Sequence, residues 1–417
     1  MVASISSLQY ALKTLWPQER IKNEVYPDHP FMAMVPKRED FYGENAYVVV
    51  RTGDPQGRSA SFSTAQTISA LTGSGNAGAS RGARFLLTRV SDYQVVNLAT
   101  EVILASKRDE GALVRALDTE MKAGVNNIGK SLAVSLFRGQ SGNLSTIGSV
   151  TYNTTVSADI TLSNINDVTS FEIGMLIVAS ATSTGANLAG PTSAYVSAVN
   201  RDTGVIRLLG DFSGATWVAT SYLSASGDNA AGSGSGNKIS GLADWVPATT
   251  PTATTFFGVD RSVDPTRLGG LRIDASALTP EEGLMLTLSR QAREGGRQSH
   301  YICNHLDYRN IMISLGSKVE TKYQSVGEVG FQTIQVHGPK GDVSVLADQD
   351  CPAGRAYSLD MSTWKLMSLE GCPQILNMDG DQLSRVYNAD QFEARMVYFA
   401  QLACDAPGYN ATITLPT

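Results

Sequence analysis

The sequence predicts an α+β fold, with one long helix set between a β-hairpin before it and β-rich regions after it. Three observations predict it. Residues 106–139 read SKRDEGALVRALDTEMKAGVNNIGKSLAVSLFRG, where Leu113, Leu117, Met121, Val125, Ile128, Leu132 and Leu136 recur at spacings of four and three. That is one apolar stripe on one helical face. Stretches on both sides are rich in Val, Ile, Thr and Tyr and are broken by Gly- and Asn-containing turns, as strands are. Charged residues make up only 17% of the 417 residues, which points to surface covered by copies of the chain itself.

The elements follow in order. Within an N-terminal arm, residues 1–41, Ile5, Leu8, Leu12 and Leu15 predict a short amphipathic helix that Trp16-Pro17 ends. Pro17 can open a second helix, PQERIKNEV. Pro27, Pro30 and Pro36 then force an extended segment, either a strap on its own subunit or an arm over a neighbour.

Residues 42–100 read as a projecting hairpin with strands Ala46–Thr52 and Arg84–Leu98. Its tip, GDPQGRSASFSTAQTISALTGSGNAGASRGA, has no apolar periodicity, and structureless loops of that length are rare unless functional or mobile. Arg51, Arg58, Arg81, Arg84 and Arg89 cluster here. They form a solvated basic face, a nucleic-acid contact or a dock for an acidic neighbour. Aromatic residues interleaved with these arginines, beyond Phe62 and Phe85, are too few for a stacking platform, which counts against nucleic acid. Docking is preferred, so these five arginines are the candidate assembly contacts.

Residues 101–145 hold the long helix, predicted at 107–138. Ser106 and Asp109 satisfy first-turn N–H groups, and Gly139 after Arg138 closes it. It would be roughly 48 Å long. Gly111, Gly124 and Gly129 each weaken it by ~1 kcal/mol, so packing must support it and a bend near Gly124 is expected. A coiled-coil helix is the alternative, but no second long helix exists to pair with it.

Residues 146–226 are nearly free of Lys and contain the strand-like segments SADITLSNI, GMLIVAS, SAYVSAVN, TGVIRLL and ATWVATSYLS, which predicts a small inserted β-domain. Residues 227–267 form a linker and a return to the body, with ASGDNAAGSGSGN flexible by composition. GSGSGNK lacks the spacing of a phosphate loop. Trp245 and Phe256-Phe257 are anchors.

Residues 268–377 alternate helices and strands. Thr279-Pro280-Glu281-Glu282 opens a helix that runs to Glu294 and stops at Gly295-Gly296. Tyr301–Cys303 is a short buried strand, and Asn304 with Asp307 caps a helix to Leu315. FQTIQVH, VSVLA, RAYSLD and WKLMSL are strands. In residues 378–417, Phe392, Ala394, Met396, Tyr398 and Ala400 share one face at period two, as in long antiparallel strands.

A net charge of −6 argues against a sequence-specific DNA binder or a polybasic membrane protein, though not against passive enclosure of nucleic acid. No run of eighteen apolar residues and no signal-peptide pattern occurs, so a soluble product kept in the producing cell is expected. Cys303, Cys351, Cys372 and Cys404 lack CxxC spacing and are expected to be buried thiols.

His300, Tyr301, Cys303 and His305 offer a conceivable Cys/His nucleophile pair, but no acid or oxyanion signal accompanies it. Asp348 with Asp350, and Asp379 with Asp381, could bind calcium. Their Gly- and Pro-containing turns favour solvated carboxylates instead. No GxSxG, HExxH, Walker or dinucleotide motif is present, and no cofactor is expected.

The order of these elements resembles the major capsid proteins of tailed bacteriophages. The residues that carry the resemblance are LWPQERIKNEVYPDHPFMAMVPK, GLADWVP with FFGVDRSVDPTRLGG, NHLDYRNIMISLGSK, and ADQDCPAGRAYSLDMSTWKLMSLEGCP. The resemblance spans most of the chain but not the β insert, which looks like the variable insertion domains of some members. It implies that Ser106–Arg138 is the spine helix of a peripheral domain. It likewise makes Phe41–Leu98 the extended loop and Leu268–Asn377 the axial domain.

The resemblance further implies a non-enzymatic shell protein of the virion, assembled in the host cytoplasm as hexamers and pentamers around double-stranded DNA bound without sequence specificity. Partners would be the chain itself, a separate scaffold, a portal and a decoration protein, with no membrane. The alternatives are the shell of a cellular encapsulating nanocompartment and, more remotely, a Cys/His hydrolase.

Overall fold

The computed structural model describes residues 28–70, 78–100, 110–191, 194–229, 236–316, 320–326, 329–377 and 383–416. The helices expected within residues 1–27, the Ser106 helix start, the side chains of Leu113 and Leu117, and Asp379 and Asp381 lie outside the described residues. Three apolar cores organise the rest.

The first core lies between the long helix and a sheet. The helix runs from Glu110 to Phe137. Met121, Val125, Ile128, Leu132 and Leu136 are all buried, as their stripe requires. They face the sheet in which Gln391–Cys404 pairs with Val90–Ala99 on one side and Trp364–Ser368 on the other. Gly124, expected to weaken or bend the helix, lies close against this sheet. A Cβ there would lie 2.6 Å from a Val96 methyl and 3.1 Å from Met396 Cε. The close approach offsets the helix-propensity cost of glycine with packing. Toward its end the helix is buried on all sides, and Val134 leaves the first core for the second.

That second core fills a closed six-stranded barrel with strand order Tyr222–Ala225, Asn143–Thr154, Ser157–Leu162, Val205–Leu209, Ala194–Asn200 and Leu176–Ser180. The barrel begins at Asn143, directly after the helix. ATWVATSYLS contributes a strand only over Tyr222–Ala225, because Trp217 turns inward to stack edge-on against Phe212. The chain leaves the helix at Gln140 and comes back at Lys238, whose N–H donates to the Gln140 carbonyl at 3.2 Å. Gly241 N–H then donates to the Arg138 carbonyl at 3.0 Å. A Cβ at Gly241 would collide with three carbonyl oxygens of the helix end, so the crossing requires glycine.

The third core lies in a seven-stranded mixed sheet with order Leu271–Asp274, Ala411–Thr414, Arg355–Leu359, His300–Cys303, Gly341–Ala347, Val329–Gly338 and Glu320–Val326. The helices Pro280–Glu294 and His305–Leu315 cover it. The first opens with the expected capping box between Thr279 and Glu282 and closes at Gly295. Asn304 caps the second by accepting the Leu306 N–H.

Several expectations are corrected. The segment after Pro30 is not extended: Pro30–Met34 is one helical turn, for which a first-turn proline is preorganised. It plugs Phe31 into the first core, 5.0 Å from the Phe137 ring. Lys37–Arg38 then adds a parallel edge to Trp364–Ser368. Arg84–Leu98 is two strands, Arg81–Thr88 and Val90–Ala99, because the chain changes partner at Arg89. The hairpin tip contains a helix, Phe62–Ser69, held by local bonds such as Thr67 Oγ1 to the Ser63 carbonyl.

The division at residue 377 also fails at the level of sheets. WKLMSL pairs with Gln391–Cys404 in the helix-bearing sheet, and Ala411–Thr414 crosses into the seven-stranded one. Glu320–Val326 is a strand with no counterpart in the sequence reading.

Candidate assembly surface

The hairpin strands Asn45–Gly53 and Arg81–Thr88 form a two-stranded ribbon with two different faces. Val48, Val50, Phe85 and Leu87 point inward and are buried. Phe85 packs on Trp245 at 5.2 Å and on Phe256 at 6.2 Å. Leu86 N–H donates to the Phe257 carbonyl at 2.9 Å. The anchors expected at Trp245 and Phe256-Phe257 therefore clamp the root of the hairpin.

The outer face is apolar and open. Tyr47 is 56% exposed and Val49 67%, with Leu86 beside them. On the tip helix Phe62 is 82% exposed, and that helix buries none of its residues. Tyr47, Val49 and Leu86 share this face with Arg51 and Arg84, and exposed apolar side chains grouped in this way suit an interaction surface.

The five arginines divide. Arg51 pairs with Asp54 of the same hairpin at 2.7 Å, both largely exposed. Arg84 lays its guanidinium 4.4 Å over the Tyr47 ring, on the open face. Arg58 and Arg81 are exposed toward the tip. Arg89 sits apart, at the root, donating to the Phe41 carbonyl at 2.9 Å and stacking on its ring. The structure thus brings Arg51, Arg81 and Arg84 onto one ribbon and gives Arg89 a bracing contact within its own chain.

Two buried polar joints tie this ribbon-bearing body together, and neither was read from the sequence. At the barrel junction, Lys238 Nζ lies 2.6 Å from Asp92 and 3.2 Å from Asp228. Ser131 Oγ and Tyr398 Oη donate to the same Asp92 carboxylate at 2.7 and 3.0 Å. Burial pushes Asp228 up to about 6; Lys238 lowers it and Asp92 raises it. Where the chain returns, Asp244 accepts the Gln140 N–H at 2.6 Å, and burial raises it to about 6.

The second joint corrects an expectation. Asp348 and Asp350 are not solvated turn carboxylates but buried groups. Asp348 accepts the Phe31 N–H at 3.0 Å, and Asp350 lies 2.5 Å from His29 Nδ1. The available signal was the Asp-X-Asp spacing beside an arm containing His29, which sequence alone cannot bring together.

Cys303 is fully buried, with its thiol 3.7 Å from the Leu346 carbonyl. Burial raises its pKa well above the usual range, the reverse of what a thiolate nucleophile requires. All four cysteines are buried, and none of them forms a disulfide. Among the described residues no cluster of three or more potential metal ligands occurs, and no helix is long and apolar enough to cross a membrane.

The sequence matches no known protein family and no curated protein. Solved structures are similar. The chain in the capsid asymmetric unit of cyanophage A-1(L) aligns over 94% of this chain and 94% of its own, with 10% identity and a TM-score of 0.50. The capsid of a native GTA particle aligns over 94% and 92%, with 8% identity and a TM-score of 0.46. The SrpI encapsulin complex from Synechococcus elongatus PCC 7942 aligns over 97% and 94%, with 8% identity and a TM-score of 0.41. On the first of these, the chain has the fold of tailed-phage capsid proteins.

Proposed function

We propose that the chain is the major capsid protein of a tailed bacteriophage. It assembles as hexamers and pentamers of an icosahedral shell that encloses double-stranded DNA. The observation that carries this reading is the open apolar face of the hairpin on a chain with a capsid fold. A monomer gains nothing from Tyr47, Val49 and Leu86 in water, whereas a neighbour's surface would bury them.

In this reading Glu110–Phe137 is the spine helix, the ribbon Asn45–Thr88 is the extended loop and the seven-stranded sheet is the axial domain. The barrel is an insertion domain. Arg51, Arg58, Arg81 and Arg84 face carboxylates of the adjacent copy. DNA is enclosed without sequence readout, which a net charge of −6 favours by keeping its grip weak. Scaffold, portal and decoration proteins are separate chains, and assembly takes place in the host cytoplasm.

Electron microscopy of particles from cells producing the chain tests the proposal, with nuclease protection of their contents. Closed polyhedral particles holding protected DNA are expected when the scaffold is supplied. Monomers or open filaments under those conditions would overturn the shell role. Closed particles without protected DNA would favour a protein-enclosing nanocompartment.

A further inference from the structure

Two segments far apart in sequence meet where the arm enters the body. His29 Nδ1 lies 2.5 Å from Asp350 Oδ2. Asp348 accepts the Phe31 N–H through one oxygen at 3.0 Å and the Asp350 N–H through the other at 2.9 Å. All three side chains are buried, Asp348 with 1% exposure. One imidazole therefore serves two carboxyls, and full ionisation would leave one of them without a cation.

The groups around the cluster do not supply that cation. Asp28, next to His29, is another carboxylate. Asp307, on the helix His305–Leu315, accepts the Gly354 N–H at 3.0 Å and adds to the negative side. Cys303 and Cys351 are thiols whose pKa values burial raises. Lys130 of the long helix and Arg201 of the barrel line the adjoining crevice, but both are directed to Glu172, at 2.7 and 3.3 Å.

We infer that this cluster is a proton-locked latch on the arm, which holds residues 28–35 while His29 and Asp348 keep their protons and loosens as they are withdrawn. The segment it holds includes Phe31 and Met32, both buried in the first core.

The electrostatics give the sign. Burial raises Asp348 to about 7, and the charge of Asp350 adds to this against the two N–H bonds and His29. Burial alone would lower His29, but the hydrogen bond and charge of Asp350, with the charges of Asp348 and Asp28, outweigh it and raise its pKa. Both values lie above those of the free groups, so the closed latch binds protons more tightly than the open one. Closure is favoured most at acid pH. The Asp348 contribution fades as pH rises to about 7, and the His29 contribution fades above 6.5.

The test is hydrogen exchange of the full chain between pH 5 and pH 9, corrected for intrinsic rates. The Phe31, Ala33 and Val35 amides report on the latch, and Ile302 in the seven-stranded sheet is the control. Protection of the arm amides relative to Ile302 should fall roughly tenfold or more across this range, a factor of ten for each pKa unit of difference. Asp348→Asn should flatten the fall. His29→Gln should leave only the part below about pH 7, where Asp348 titrates. Arm protection that tracks Ile302 at every pH overturns the inference, as does retention of the wild-type profile by both variants.

Discussion

Replacing Lys238 by Met asks whether charge holds the barrel to the body. The side chain is 6% exposed and its ammonium lies between Asp92 at 2.6 Å and Asp228 at 3.2 Å. Methionine keeps most of the stem, so the change removes the cation and leaves two carboxylates facing each other. Breaking a buried pair from one side costs about 3–5 kcal/mol, most of it from the stranded charge. Protonation offers partial relief. The folded-state value of Asp228 is about 6, above the ordinary 3.8, so the folded form gains stability as pH falls through 6. Removing Lys238 takes away the influence that lowers this value and moves the relief to higher pH. The variant should therefore lose about 3–5 kcal/mol at pH 8 and clearly less at pH 5. At 2–4 °C per kcal/mol, the loss at pH 8 is a Tm drop of about 6–20 °C. Calorimetry of unassembled subunits at both pH values, with Lys238→Met/Asp92→Asn/Asp228→Asn alongside, measures it. A loss below about 1 kcal/mol at pH 8, within the range of an exposed pair, would refute the argument. So would the same loss at both pH values.

Gly124→Ala should gain ~1 kcal/mol of helix propensity and lose about 1–3 kcal/mol by overpacking Val96. A double-mutant cycle with Val96→Ala should show a coupling of at least ~0.5 kcal/mol. Ile128→Asp should abolish soluble assembly, since an unpaired carboxylate in the helix–sheet core costs several kcal/mol; normal particle yield in sedimentation would contradict the core role of the stripe. Arg58→Glu with Arg81→Glu should lower particle yield while moving the Tm of unassembled subunits by no more than ~1 kcal/mol equivalent. Unchanged assembly would return the hairpin to an ordinary solvated loop.

Local rules were legible wherever the deciding partners lie close in sequence. Thr279 and Glu282 are three residues apart and formed their capping box. Of the period-two face read from the sequence, Ala394, Met396, Tyr398 and Ala400 are buried and Phe392 is half-buried. The stripe from Met121 to Leu136 is buried for the same reason: one helix presents it without reference to the rest of the chain. What failed depends on distant partners. Nothing local distinguishes a strand that continues at Arg89 from one that changes sheets there. His29 and Asp350 are 321 positions apart, so the Asp-X-Asp turn looked solvated. The hairpin arginines were found as a cluster, but their sorting into open-face and bracing roles required knowing where Phe41 and Tyr47 lie.

The hydrogen bond between Lys238 and Gln140 changes what the barrel is to the rest of the chain. It closes residues 141–237 into a ring, so the body follows the path of a shorter polypeptide from which that ring hangs. The entropy of closing a ring grows only logarithmically with its length. The junction is therefore a graft point: any folded sequence with neighbouring ends can be spliced there without spanning a gap. The bulk protruding at this position can grow or shrink while the helix and its sheet keep their geometry, provided the interior contacts of Val134 and Lys238 are supplied again.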